Sequence, residues 1–296
     1  MSSKFATVAQ TMRPPFLLLT PACVLLGIGT ASRMTDLNPL LVTLVMVGAV
    51  CAHISVNMLN EYFDFRSGLD NNTQRTPFSG GSGALPANPS AASAVLAGGL
   101  VALAICCALG LYFVWLRGWL LLPIGIMGSL IILTYTQWIN RAPLLCLIAA
   151  GLGFGPLMVE GTHLVLTGHY SSLALFLSLV PFFLVNDLLL LNQYPDIDAD
   201  RAAGRRHFLI RYGLGNSNMV FALFMFAAFS VLLLAVSGGL LSKWALLALV
   251  PLPLGLRAVL GAFRFDGNVE PLKPAMAMNV VVNLATPALI GLTLLF

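Results

Sequence analysis

Six of the chain's eleven acidic residues crowd into two short stretches, and their types and spacing point to metal chemistry. One stretch reads N-E-Y-F-D-F-R-S-G-L-D from Asn60 to Asp70, the other N-Q-Y-P-D-I-D-A-D from Asn192 to Asp200. Asn60 and Asp64 stand at i and i+4, so a helix stacks them on one face, and Asp70 follows beyond Gly68. Asn192, Asp196 and Asp200 repeat that step and form one stripe if a helix kinks or restarts at Pro195; Asp198 points the other way. Two carboxylates about 4 Å apart repel by roughly 4 kcal/mol at an effective dielectric of about 20, so such a cluster is hydrated, partly protonated or bound to a cation. Asp and Asn oxygens are hard ligands, which makes Mg²⁺ the natural ion, held by a few carboxylates, waters and the phosphate oxygens of a substrate. The expected metal set is Asn60, Asp64, Asp70, Asp196 and Asp200, with Asp64 and Asp196 as the catalytic pair.

Arginines flank both stretches: Arg66 and Arg75 after the first, Arg201, Arg205, Arg206 and Arg211 after the second. A guanidinium fork matches phosphate oxygens, so Arg75 and Arg205, with Asn60 and Asn192, are the expected diphosphate contacts. A polyprenyl diphosphate suits such a place, because its polar head and long apolar tail need a split environment. Mg²⁺ and arginine would stabilise charge on the departing diphosphate, and aromatic faces would stabilise the cation-like allylic fragment. Tyr135 and Tyr194 are the candidates for a cavity wall, with Tyr62, Phe63 and Trp138 nearby; an interfacial aromatic belt is the plainer use of any one of them.

These stretches must be positioned by membrane helices. The composition is 58% hydrophobic and 9% charged, against about 25% charged in soluble domains. Apolar runs predict nine spans, near residues 14–31, 38–60, 90–114, 118–138, 143–167, 172–194, 217–236, 241–262 and 274–295. With the N-terminus inside, twelve Lys and Arg fall on one side and only Arg33, Arg117 and Lys243 on the other, which places both acidic loops in the cytoplasm of a cell with this protein in its inner membrane. Asn60 to Asn192 and Asp64 to Asp196 are each 132 residues apart, and each set ends an outside-to-inside helix. The expectation is one all-α domain over residues 1–296, built as two four-helix pseudo-repeats (about 14–138 and 143–262) plus one helix, around a central cavity. The five cysteines and four histidines form neither a disulfide framework nor a zinc pattern, and no nucleic-acid partner is expected. Two further ionisable groups fall inside spans, Asp187 and Glu160; Asp187 is expected to face the cavity, since buried charge in lipid is costly.

At the acidic stretches the chain resembles the UbiA-type intramembrane prenyltransferases. Their first signature, N-D-x-x-D with a further Asp, matches Asn60, Asp64 and Asp70, with Glu61 in place of the usual Asp. Their second, of N-x-x-x-D-x-x-x-D type, matches Asn192, Asp196 and Asp200, and Arg13-Pro14 before the first span is also similar. The resemblance covers the whole chain. It implies a helical bundle with Mg²⁺ and prenyl diphosphate at a cytoplasmic mouth, and transfer of the prenyl chain to an acceptor, usually an aromatic ring. Residues Asn60–Phe65 and Phe154–Val159 look most like the 1,4-dihydroxy-2-naphthoate branch of menaquinone synthesis, yet the acid that branch carries in G-L-G-[DE] has no counterpart between Leu144 and Ala150. The alternatives are a terpene cyclase-like member of the same superfamily and a cation-coupled secondary transporter. The transporter is disfavoured because its sites lie near the midplane, often between inverted repeats.

Overall fold

The computed structural model describes residues 3–71 and 73–296; Met1, Ser2 and Asn72 lie outside the described residues. A short helix α1 (Lys4–Thr11) precedes α2 (Leu19–Ser32), α3 (Pro39–Ser67), α4 (Ala92–Arg117), α5 (Leu122–Thr134), α6 (Pro143–Thr167) and α7 (Ser172–Asn192). A two-turn helix α8 (Ile197–Ala202) leads to α9 (Phe208–Ser237), α10 (Leu252–Phe263) and α11 (Lys273–Leu294). The described residues contain no strand, as expected of a chain that must satisfy its backbone within each span.

Each expected span position holds a helix, but the count of nine is not reached. Seven helices are long and apolar enough to cross a membrane, and an eighth crossing results if Lys4–Leu17 and Leu19–Ser32, which meet at 43°, act as one. The remaining piece, Trp119–Thr134, is shorter, because the chain leaves the helix for turns from Tyr135 onward. Two other boundaries move for local reasons. α3 runs to Ser67, seven residues past its expected end, and stops where Gly68 takes the left-handed conformation that closes a helix. α9 starts at Phe208, with a break at Gly213 (φ 80°), so Arg211 sits on a helix and not in a loop.

Start signals are explicit. The Asn38 side chain accepts from the Leu40 and Leu41 N–H groups with Pro39 at the first helical position, and Ser171 caps α7 through the Ala174 N–H. Inside the bundle, α2 and α11 meet through glycine: a Cβ on Gly29 would lie 2.5 Å from the Gly291 carbonyl oxygen. In lipid, where apolar area gives helices no reason to associate, such close backbone approach is a main source of cohesion. The centre of α6 is π-helical over Gly153–Glu160, since Pro156 has no N–H to continue the regular ladder. The four tryptophans are all at least 70% exposed, as expected of side chains at a lipid boundary: Trp115 and Trp119 on one side, Trp244 with them, Trp138 at the other.

Candidate active site

α3 carries Asn60 and Asp64 on one face, because its helix continues unbroken from Pro39 to Ser67. The second stretch is not one continuous stripe. α7 ends at Asn192, Pro195 interrupts, and Asp196 occupies the N-cap position of α8 while Asp200 sits inside it. The fresh start lets the chain turn, so that Asp200 comes beneath α3. There Arg205 joins the two stretches: its Nη2 grips Asp64 Oδ1, and its Nη1 lies 2.7 Å from Asp200 Oδ1. Buried His207 holds the other Asp200 oxygen through Nε2 at 2.9 Å. Asp198 is exposed and pairs only with Arg201.

The loop after α3 folds back as a strap over this junction. Its Gly80 N–H donates to Asp196. The Ser82 N–H and hydroxyl donate to the two Glu61 oxygens, each at 2.7 Å. Gly80, Gly81 and Gly83 all have positive φ, and a Cβ on Gly83 would strike the Arg75 guanidinium, so only glycine allows this path. Arg75 itself is exposed and donates to the Asp70 backbone carbonyl at 2.6 Å. Sequence analysis did not single out this Gly/Ser cluster, because its contacts with Asp196 and Glu61 are long-range. Arg13, which the sequence brought in only through the Arg13-Pro14 pair, also reaches this junction. It is the one non-glycine residue with positive φ (56°) among those described, lies 4.8 Å over the Phe16 ring, and approaches Glu61 at 3.8 Å.

Beneath the junction opens an apolar cavity of about 770 Å³, with Arg13, Asn60, Asn192 and Tyr135 at its polar end and Phe78, His53 and Phe154 on its walls. Tyr135 lines it as expected; Asp187 and Tyr194 do not. α7 turns Val185, Leu188, Leu189 and Asn192 to the cavity, an i, i+3, i+4, i+7 face. Tyr194 lies on another side, fully buried, with its hydroxyl donating to Asn218 on α9 at 2.7 Å. Asp187 is also fully buried away from the cavity lining.

The donor set suits a hard cation. Asp70 Oδ2, Asp196 Oδ1 and Asn192 Oδ1 are buried oxygens without a hydrogen-bond partner among the described residues. Burial, then the Asp64 and Glu61 charges, pushes Asp70 up to about 7 against the pull of Arg75 and Arg205. Burial and the Asp200 charge do the same to Asp196, also to about 7. Carboxylates crowded to this degree favour the arrival of positive charge. No three His, Cys, Asp or Glu side chains among the described residues converge closely enough to hold an ion by themselves.

The comparisons with known proteins agree with this geometry. The profile of the UbiA prenyltransferase family matches residues 16–281. The 1,4-dihydroxy-2-naphthoate octaprenyltransferase of Bacillus subtilis (strain 168) is 28% identical over 274 residues, which is 91% of this chain and 85% of that protein. The apo UbiA homolog of Aeropyrum pernix K1 superposes with a TM-score of 0.66 at 18% identity, covering 94% of this chain and 96% of that one. The Archaeoglobus fulgidus UbiA homolog bound to DMAPP and Mg²⁺ gives 0.64 at 15% identity over 98% and 99%. An all-helical membrane bundle whose two acidic stretches meet over one apolar cavity, matched by the family profile across most of its length, is a transferase of the UbiA prenyltransferase family, and the chain belongs to that family.

Proposed function

We propose that the protein transfers a prenyl group from a polyprenyl diphosphate to a hydroxylated aromatic acceptor of the 1,4-dihydroxy-2-naphthoate type, with Mg²⁺, on the cytoplasmic side of the inner membrane. The observation that carries this reading is Arg205 tying Asp64 of the first stretch to Asp200 of the second, with Asp64 one helical turn from the cavity-lining Asn60. The naphthoate-type acceptor is suggested by the Bacillus subtilis relative, and the Mg²⁺ and prenyl diphosphate by the Archaeoglobus fulgidus homolog. The twelve-to-three distribution of basic residues supports the sidedness.

In this reading Asn60, Asp64, Asp70, Asn192, Asp196 and Asp200 supply the oxygens that hold Mg²⁺, with Asp64 and Asp196 the most sensitive pair. Bound there, Mg²⁺ would supply Lewis-acid stabilisation of the leaving diphosphate. Arg205 presents further guanidinium donors to phosphate oxygens, Arg13 adds a second cation at the mouth, and Arg75 anchors the strap and completes the basic rim. The cavity below takes the prenyl tail and excludes water from the allylic cation, with Tyr135 offering an aromatic face beside it. The 132-residue offset between the asparagine and aspartate pairs fits two repeats that each contribute half of the diphosphate site.

Purified protein in lipid nanodiscs, given geranyl diphosphate, 1,4-dihydroxy-2-naphthoate and Mg²⁺, is expected to yield a prenylated naphthoate by mass spectrometry. EDTA stops the reaction and excess Mg²⁺ restores it. Turnover indifferent to EDTA, or a hydrocarbon formed from the donor alone, would overturn the proposal.

A further inference from the structure

Two helical turns below the mouth, the cavity wall holds a polar group that the donor does not explain. His53 is seven residues before Asn60 on α3, about 10 Å deeper at 1.5 Å per residue. It is 6% exposed and lines the cavity. Its Nδ1 is fixed 2.8 Å from the Thr20 hydroxyl on α2, and its ring meets Phe154 edge-to-face at 4.8 Å and 76°. Phe154 comes from the π-helical turn of α6, an irregularity common where helices serve a site. With Nδ1 engaged, the ring nitrogen left for the cavity is Nε2.

A polar nitrogen in an apolar wall is costly without a partner. The polar part of a prenyl diphosphate stays at the mouth, and its tail offers no hydrogen-bonding atom, so the partner must come from the other substrate. We infer that His53 forms an acceptor subsite in which Nε2 hydrogen-bonds a ring oxygen of a fused, hydroxylated aromatic molecule. This inference rests on the function proposed above and deepens it. Phe154 supplies an aromatic flank for the ring, and the distance from His53 to Asn60 suits two fused rings with one end at the site of bond formation and an oxygen at the other. Both tautomers serve: Nε2 accepts from a hydroxyl, or Nε2–H donates to a carbonyl or phenolate oxygen.

The test separates acceptor from donor. Binding of the fluorescent probe 1-hydroxy-2-naphthoate is measured by titration without Mg²⁺ or donor, and KM values are measured for geranyl diphosphate and 1,4-dihydroxy-2-naphthoate. His53→Phe, which keeps a flat ring, is expected to weaken probe binding and raise the acceptor KM by about 10- to 100-fold, the worth of one hydrogen bond in a dry site, with the donor KM unchanged. His53→Gln, which retains a donor and an acceptor, restores most of both. Unaltered probe binding and acceptor KM in His53→Phe overturn the inference while the proposed function stands. A wild-type protein that binds geranyl diphosphate but transfers it to no hydroxylated ring overturns both. Loss of donor and acceptor binding together in His53→Phe and His53→Gln would reduce His53 to a packing residue and also overturn it.

Discussion

The two ends of the bundle use the same kinds of charged residue in opposite ways. At the end away from the acidic stretches, Arg117 and Glu160 serve helix ends. Arg117 donates through Nε to the Val165 carbonyl at 2.6 Å and through Nη2 to the Leu166 carbonyl at 2.8 Å, satisfying groups that the last turn of α6 leaves unpaired. Glu160 accepts from the Ser171 N–H at 2.6 Å, just before α7 begins. At the acidic end Arg205 binds Asp64 and Asp200 from different elements, and Asp70 Oδ2, Asn192 Oδ1 and Asp196 Oδ1 have no partner among the described residues. The first end is tied mainly to its own backbone, with Glu160 Oε2 left over; the second gathers its unpaired oxygens around one junction. Polar residues in a membrane bundle are therefore better sorted by what their oxygens still need than by how deeply they lie.

Three substitutions or conditions bear on that contrast, beginning with the largest effect. Asp64→Ala or Asp196→Ala is expected to lower turnover by about 10³-fold, the scale of losing one electrostatic element of a site, with the melting temperature nearly unchanged. Turnover within tenfold of wild type would remove the metal assignment. Arg117→Ala should do the reverse, costing about 2 kcal/mol of stability by leaving carbonyls unsatisfied, while kcat/KM per folded molecule stays within about twofold. Thermal unfolding in nanodiscs with an activity assay reads both, and a selective loss of activity would contradict the assigned roles. The smallest effect is in pH. Asp70 and Asp196, both pushed up to about 7, must shed protons to take a cation, so Mg²⁺ affinity should rise with pH and be about fivefold weaker at pH 6 than at pH 7 for each such group. Calorimetric titration of Mg²⁺ across pH 6–8 measures it; a flat profile would mean that these carboxylates are already ionised or do not bind.

Much of this was written locally in the chain. Helix period alone puts Asn60 and Asp64 on one face, and apolar run length locates the helices, because both depend on neighbours in sequence. What escaped depends on the packing of distant segments. The direction of Tyr194 is set by the bend that follows α7 and by its hydroxyl reaching Asn218 on α9, a contact between segments that no local pattern reports. The strap's part in the junction is not visible locally because the groups it meets, Asp196 and Glu61, come from elsewhere in the fold. The lone backbone signal for Arg13, its positive φ, is not visible before the Arg-Pro pair is folded. The shortness of Trp119–Thr134 follows from turns no hydropathy average reports.

Not all glycines in this bundle are there for contact. Gly110, Gly125 and Gly128 line the cavity, and a Cβ at any of them would meet nothing within 4 Å. A larger side chain at these positions would take its space from the guest and not from the scaffold. The wall thus acts as a ruler that reads one way: bulk added at these positions would shorten any hydrocarbon held there without reopening the question of how the bundle folds.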